Sequence, residues 1–154
     1  MIKIQSSELI PYTAQLQVPS KLEALVEVLS WFAELASPLI PQSIWLRCQL
    51  ALAEAYTNAV RHAHQNLPSD DLFVEMEVSV QPAQIIILIW DYGPPFDLIQ
   101  KLEQLSAKTI DKNATGGRGL KLIQDIADEL SYERTADERN CLKIVKYWHP
   151  HCSA

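Results

Sequence analysis

The feature that most restricts the fold of this chain is a run of six apolar residues, Ile85 to Trp90. The run has the length of a strand, so it predicts a central strand covered on both faces. Just before it, apolar and polar residues alternate from Val74 to Val80, which predicts a neighbouring strand with one wet face. Because only a short turn at Pro82-Ala83 separates the two runs, they predict a hairpin in the middle of a sheet.

Helical periodicity flanks this hairpin on both sides. Apolar residues recur at the spacing of amphipathic helices over residues 21–36, 42–64 and 119–130, and residues 97–105 are expected to form a short helix. Ser20, with Glu23 three residues on, predicts a capping box for the first helix. Pro41 suits the first turn of the second helix.

Three further strands complete the predicted sheet, over residues 11–18, 131–134 and 141–148, with a turn over 136–140 between the last two. The order of strand, two helices, hairpin, loop, helix and hairpin predicts an α/β (α+β) two-layer sandwich. We expect a mixed, mostly antiparallel sheet with about three helices on one face. At 154 residues the chain predicts one domain, residues 1–154, with a core of about 12–148.

Composition narrows the class of protein. The 48% hydrophobic and 21% charged fractions are typical of a soluble globular domain. A net charge of −6 disfavours direct binding of nucleic acid. The longest apolar run is too short to span a bilayer, and no secretory pattern is visible at the N-terminus. With three widely spaced cysteines, we expect reduced thiols and a cytoplasmic protein.

A polar stripe lies on the second predicted helix, in the segment Glu54-Ala-Tyr-Thr-Asn58-Ala-Val-Arg-His62. Glu54, Asn58 and His62 are four residues apart, so they share one helix face. An amide oxygen suits Mg²⁺, and a glutamate one turn earlier can accept a proton. A stripe of solvated polar residues explains the segment equally well when it is taken alone.

An acid and a glycine follow the apolar run, in the segment Asp91-Tyr-Gly93-Pro-Pro95-Phe-Asp. A carboxylate at the end of a buried strand needs donors, and the exocyclic amine of adenine is one. Gly93 would let a flat ring approach the backbone. Taken alone, a strand-end turn in which local amides satisfy Asp91 is the better explanation.

Three of the four glycines in the chain cluster where the last helix begins, at Gly116, Gly117 and Gly119. Backbone amides in such a turn, aimed out of a helix N-terminus, form an anion site. Arg118 could reach a phosphate or be solvated, and a plain flexible loop is the alternative. The chain has neither a P-loop nor a dinucleotide-binding glycine pattern. Together, the three segments predict a site for a nucleotide and its metal.

The three segments resemble the N, G1 and G2 boxes of the Bergerat-fold ATPases, which include histidine-kinase ATP sites. Within that superfamily they are most similar to the small anti-sigma-factor serine/threonine kinases of bacteria. The forms Glu-Ala-x-Thr-Asn-Ala-x-x-His and Gly-Gly-Arg-Gly-Leu are specific to that subfamily, and Gly-Pro-Pro-Phe-Asp is common in it. The resemblance covers most of the chain, from about Tyr12 to Trp148.

The resemblance implies a role for each matching residue. Glu54 would be the general base, Asn58 the magnesium ligand and Asp91 the adenine-binding acid, with Gly93 beside the ring. Further contacts to the nucleotide are implied for His62, Thr115, Gly116, Gly117, Arg118, Gly119 and Leu120.

The family also implies ligands and partners. They are ATP and Mg²⁺ as cofactors, a second copy of the chain in a homodimer, and a sigma factor held inactive. The family further implies an anti-sigma-factor antagonist, which the kinase would phosphorylate on a serine or threonine.

The chain departs from the family pattern at two places. Pro95 stands where a second glycine or small residue is usual. Leu25 stands where some members carry an arginine that reaches the terminal phosphate, with Lys21 one turn earlier. Losing such a bond predicts turnover that is slower by roughly 10- to 150-fold. An alternative is therefore a partner-switch module that acts by sequestration with weak or no kinase activity. A third reading, a catalytic domain under a separate sensor, rests on chain length alone.

Overall fold

The computed structural model describes residues 11–35, 40–65, 67, 71–107 and 118–149 of the chain. Along the sequence the elements are β1 (Tyr12–Pro19), a 3-10 turn (Leu22–Ala24), α1 (Leu25–Glu34), α2 (Gln42–Asn58), a π-helical turn (Ala59–Ala63), β2 (Phe73–Gln81), β3 (Gln84–Asp91), α3 (Leu98–Ala107), α4 (Arg118–Ile126), β4 (Glu129–Arg134) and β5 (Asn140–Tyr147).

One five-stranded sheet has the order β1-β2-β3-β5-β4. Each of its four strand pairs is antiparallel. The predicted α+β fold is confirmed, whereas the predicted mixture of parallel and antiparallel pairs is wrong for the described residues. The reason is topological: β3 and β4 run in the same direction, but β5 lies between them and pairs with both.

The central hairpin formed by β2 and β3 is confirmed, with Met76 opposite Ile89 in its register. Every second residue of β3 is buried, but Ile86, Leu88 and Trp90 on the other face are only half-buried. The prediction of a strand covered on both faces is therefore wrong. The helices pack against only one face of the sheet, the face that carries Ile85, Ile87 and Ile89.

The core between the sheet and the helices is aromatic at its centre. Phe32 of α1 stacks on Trp45 of α2, with ring centroids 3.9 Å apart and planes 7° from parallel. Tyr56 is fully buried, and its hydroxyl donates to the backbone oxygens of Pro19 and Lys21 at 2.9 and 2.6 Å. Burying such a side chain stabilises the fold by about 1.5–3 kcal/mol, and here it also ties the end of β1 to α2.

The start of the first helix differs from its prediction. Residues 22–24 form a 3-10 turn, and its N-cap residue, Lys21, makes no side-chain capping bond. The predicted capping box of Ser20 and Glu23 is therefore wrong. The Ser20 hydroxyl instead lies 2.6 Å from Nδ1 of His64, at the end of the second helix.

The last helix is shorter than its periodicity predicts. It ends at Ile126, and β4 already begins at Glu129. Asp128 lies between this helix and β4, and it binds to β5. Its amide donates to the oxygen of Val145, and its carboxylate accepts the amide of Tyr147. Leu130, predicted to be helical, packs against the core from a strand.

Candidate functional site

The last turn of α2 carries the predicted acid and amide, Glu54 and Asn58, and both are half-buried. The first turn of α4 packs directly over them. A Cβ added at Gly119 would lie 2.8 Å from Oε2 of Glu54 and 3.2 Å from both Nδ2 and Oδ1 of Asn58. The structure therefore brings the first and third predicted segments together, and the close approach depends on a glycine.

Helix α4 begins at Arg118 and is held in place by Leu120, which is buried. The first amides of a helix lack intrahelical acceptors, and the helix dipole favours negative charge near them. Backbone donors thus lie beside a carboxylate and an amide oxygen, a combination that suits an anion accompanied by a cation. Thr115, Gly116 and Gly117, together with the side chain of Arg118, lie outside the described residues, so their contacts to the nucleotide stay predictions.

The second predicted segment begins where β3 ends. Oδ1 of Asp91 accepts the Gly93 amide and the Nδ2 group of Asn140, each at 2.9 Å. A strand-end turn with local satisfaction of Asp91 is therefore present, as the simpler reading predicted. It occupies one carboxylate oxygen only, because no donor in the described part of the chain reaches Oδ2.

Asn140, the first residue of β5, is a site residue that the sequence did not reveal. It is only 1% exposed, and its Nδ2 also donates to the Gly93 oxygen at 2.8 Å. Arg134 braces the same point, since its Nη1 donates to the oxygens of Gly93 and the Asn140 side chain. The sequence predicts a turn at Asn140, where asparagine is common. Its role follows from its register position opposite Asp91.

Gly93 packs against the π-helical turn that follows α2. A Cβ on Gly93 would lie 2.5 Å from Cβ and 2.6 Å from Cα of Ala63, closer than atoms can pack. This contact alone requires a glycine, and the predicted ring beside Gly93 stays a prediction. The contact also places the Asp91 turn at the same end of α2 as Asn58.

The π-helical turn changes which histidine faces the interior. The His64 amide donates to the oxygen of Ala59, five residues back, so the turn holds one residue more than an α-helical one. His62, predicted to continue the polar stripe, is exposed. His64 is 7% exposed, and its Nε2 accepts the Tyr92 amide at 2.9 Å. The sequence offered only a second histidine two residues on as a signal.

The two departures from the family pattern lie outside this cluster of contacts. Leu25 is partly buried and packs against the core, and Lys21 is exposed. Pro95 is exposed. Beside it, the ring of Phe96 packs against Tyr132 with centroids 4.4 Å apart, and Nζ of Lys101 lies 4.9 Å from the Phe96 centroid.

Other possible sites are less suited to chemistry. An open groove of about 780 Å³ runs between α3, α4 and β4, but no predicted site residue lines it. Within the described ranges, no three His, Cys, Asp or Glu side chains gather to hold a metal.

Cys48 and Cys141 are free thiols, and burial raises the pKa of both, that of Cys48 to about 12. None of the helices in the described part is long and apolar enough to cross a membrane.

The fold and the convergence of three polar segments at one end of α2 define an ATPase-type nucleotide-binding domain. The chain belongs to the histidine kinase-like ATPase domain family, whose sequence profile matches residues 18–146. The resemblance stated from the sequence is thereby confirmed.

Three curated relatives are similar to the chain. Serine-protein kinase RsbW of Bacillus pumilus is 37% identical over 89 residues, covering 55% of each chain. The enzyme of the same name from Bacillus subtilis is 31% identical over 86 residues, 53% of this chain and 52% of the relative. Anti-sigma F factor of Anoxybacillus flavithermus is 22% identical over 96 residues, 62% and 64% of the two chains. The chain thus spans about half the length of these two RsbW proteins.

Proposed function

We propose that this protein is an ATP-dependent serine/threonine kinase of the anti-sigma-factor type. It would hold a sigma factor inactive and phosphorylate an anti-sigma-factor antagonist, working as a homodimer in the cytoplasm. The names of its relatives, serine-protein kinase and anti-sigma F factor, support this proposal. The observation that carries it is the packing of Gly119 onto Glu54 and Asn58, next to the turn of Asp91.

The residues present fit the nucleotide. The neighbours of Asp91 occupy Oδ1 and leave Oδ2 to accept the amine of adenine. The first turn of α4, kept close by Gly119, offers amides to the phosphates. Asn58 would be the protein ligand of Mg²⁺, which takes its other oxygens from phosphates and water. The lack of an acidic metal cluster among the described side chains suits an ion that arrives with its nucleotide.

When bound, ATP with Mg²⁺ would supply the phosphoryl group and the charge that stabilises its transfer. The chain itself would contribute a general base and the electrostatic field of its backbone amides. Glu54 would accept the proton of the antagonist's hydroxyl at its carboxylate, a role worth about 10²- to 10⁴-fold in rate. The amides at the start of α4 would stabilise negative charge without reorganising. His62, which is exposed beside this end of α2, is free to contact a phosphate.

A second candidate function is sequestration of a partner with little phosphotransfer. Leu25 favours it, because an apolar side chain packed on the core cannot supply the charge that some family members place there. Tight partner binding with no transfer to any antagonist encoded in the same genome would establish this alternative.

Calorimetric titration with ADP and a non-hydrolysable ATP analogue, with and without Mg²⁺, tests the nucleotide site. We expect one site per chain and tighter binding with Mg²⁺. In Asn58→Ala, the two titrations should coincide, because the amide oxygen that binds the ion is gone. Gln49→Ala, a half-buried position on the same helix, is the control. Absence of binding at millimolar nucleotide would overturn the assignment, and a normal Mg²⁺ effect in Asn58→Ala would place the ligand elsewhere.

A further inference from the structure

His64 joins three parts of the molecule that are distant in sequence. It follows the π-helical turn, its Nδ1 lies 2.6 Å from the Ser20 hydroxyl at the end of β1, and its Nε2 lies 2.9 Å from the Tyr92 amide. Tyr92 is the residue between Asp91 and Gly93. The histidine therefore holds the middle of the turn that presents Asp91.

These contacts fix the state of the ring. A backbone amide can only donate, so Nε2 must carry a lone pair. The proton then lies on Nδ1, which donates to the Ser20 hydroxyl. A second proton on Nε2 would face the Tyr92 N–H with another N–H and would remove this bond.

The turn is otherwise held from its opposite side. Asn140 donates to Oδ1 of Asp91 and to the oxygen of Gly93, and Arg134 donates to that same oxygen. These bonds leave the Tyr92 amide to His64 alone among the described residues. Loss of this acceptor strands a backbone donor and frees the turn on one side.

We propose that His64 is a positioning residue of the nucleotide site: its neutral ring holds the Tyr92 amide and thereby the carboxylate of Asp91. Protonation of the ring, or its replacement by a side chain without an acceptor, weakens nucleotide binding. This inference rests on the proposed nucleotide-binding function.

The surroundings of the ring determine the pH range of this effect. From β3, the charge of Asp91 favours the protonated ring, but burial opposes it more strongly and lowers the pKa of His64 from 6.5. The end of β1 contributes the neutral Ser20 hydroxyl, and the Tyr92 ring lies 6.4 Å away. Arg61 on the same turn is exposed. Binding should therefore be unaffected near neutral pH and weaken in the acid range below 6.5.

The test compares ADP affinity, by calorimetry, from about pH 8 down to about pH 5, the range in which histidines titrate. His64→Gln keeps an acceptor near the position of Nε2 but cannot titrate there. His64→Ala has no acceptor. His149→Gln, at an exposed histidine that follows β5 and has no place in the proposed nucleotide site, is the control.

We expect wild type and His149→Gln to lose affinity together as the pH falls, and His64→Gln to lose less. His64→Ala should bind more weakly at every pH, by about 5- to 10-fold, the worth of one hydrogen bond. Protonation of the ADP phosphates affects all four proteins equally, so the differences between them isolate His64. Parallel profiles for wild type and His64→Gln, or full affinity in folded His64→Ala, would overturn the inference.

A second readout needs no nucleotide. In an NMR titration of the free protein, the Tyr92 amide shift should follow protonation of His64 in wild type and stay constant in His64→Gln. If wild type binds no ADP at any pH, the proposed function fails while this titration still tests the hydrogen bond. If the Tyr92 amide shift does not change when the His64 ring is protonated, the positioning role fails even where ADP binds. Should His64→Ala not fold, wild type and His64→Gln decide the question.

Discussion

The two halves of the candidate site differ in how far the protein itself supplies hydrogen-bond partners for their polar groups. Around Asp91, the chain provides its own partners: Asn140, Arg134 and His64 hold the oxygens and amide of one turn. Around Glu54 and Asn58, no other side chain in the described residues donates a hydrogen bond or forms an ion pair. The half around Asp91, which would hold the adenine ring, is therefore built in advance. The half that would hold the phosphates keeps its polar atoms available for a ligand.

The largest effect should come from the available half. Glu54→Gln removes the proposed general base but keeps the shape of the side chain, so phosphotransfer to an antagonist should fall by at least about 10²-fold while ADP affinity changes only a few-fold. Initial rates and calorimetry measure the two quantities. Glu34→Gln, on the exposed side of α1, is the control and should transfer at the wild-type rate. Equal rates for Glu54→Gln and wild type would remove Glu54 from the role of base.

The two glycines sharpen the contrast, because the same substitution meets different neighbours. Gly93→Ala drives Cβ into the Cα and Cβ of Ala63, so it should lower the free energy of unfolding by roughly 1–3 kcal/mol. Gly119→Ala meets the ends of flexible side chains in a helix, where alanine is preferred by up to about 1 kcal/mol. It should therefore keep stability and lose nucleotide affinity. Urea denaturation and calorimetry measure both, and a reversed ranking of the two stabilities would contradict the contrast.

A smaller effect is expected at Asn140, which supports the half of the site around Asp91. Asn140→Ala removes the donor to Asp91 and Gly93 but leaves Arg134 in contact with the Gly93 oxygen. The free energy of unfolding should fall by about 1–2 kcal/mol, and ADP affinity should fall with it. Asn140→Asp tests the role of the donor, since it keeps the size but adds a negative charge facing Asp91. If both variants bind ADP as wild type does, the turn does not need this support.

The sequence predicted the available half better than the built half. Glu54, Asn58 and Gly119 could be placed because helix periodicity and a helix start are local signals, and the structure brings these three together. Asp91 could be placed because it follows an apolar strand.

The partners of Asp91 could not be predicted. Asn140 reaches it through the register of β5 against β3, a pairing of residues far apart in sequence. His64 reaches the turn through one additional residue in a helix, and nothing in the segment Ala59–Ala63 marks a π-helical turn. The outer face of β3 was mistaken for a buried one because an apolar run does not reveal how many layers cover it.

The place of β5 between β3 and β4 sets the order in which the molecule can be completed during synthesis. The ribosome releases β3 and β4 before the strand that joins them, so one edge of β3 stays open until the chain has passed residue 147. Asn140 lies at the beginning of that last strand. The half of the site around Asp91 is therefore completed last, because a nascent chain that stops short of β5 has Glu54 and Asn58 but lacks the Asn140 side chain that donates to Asp91 and Gly93.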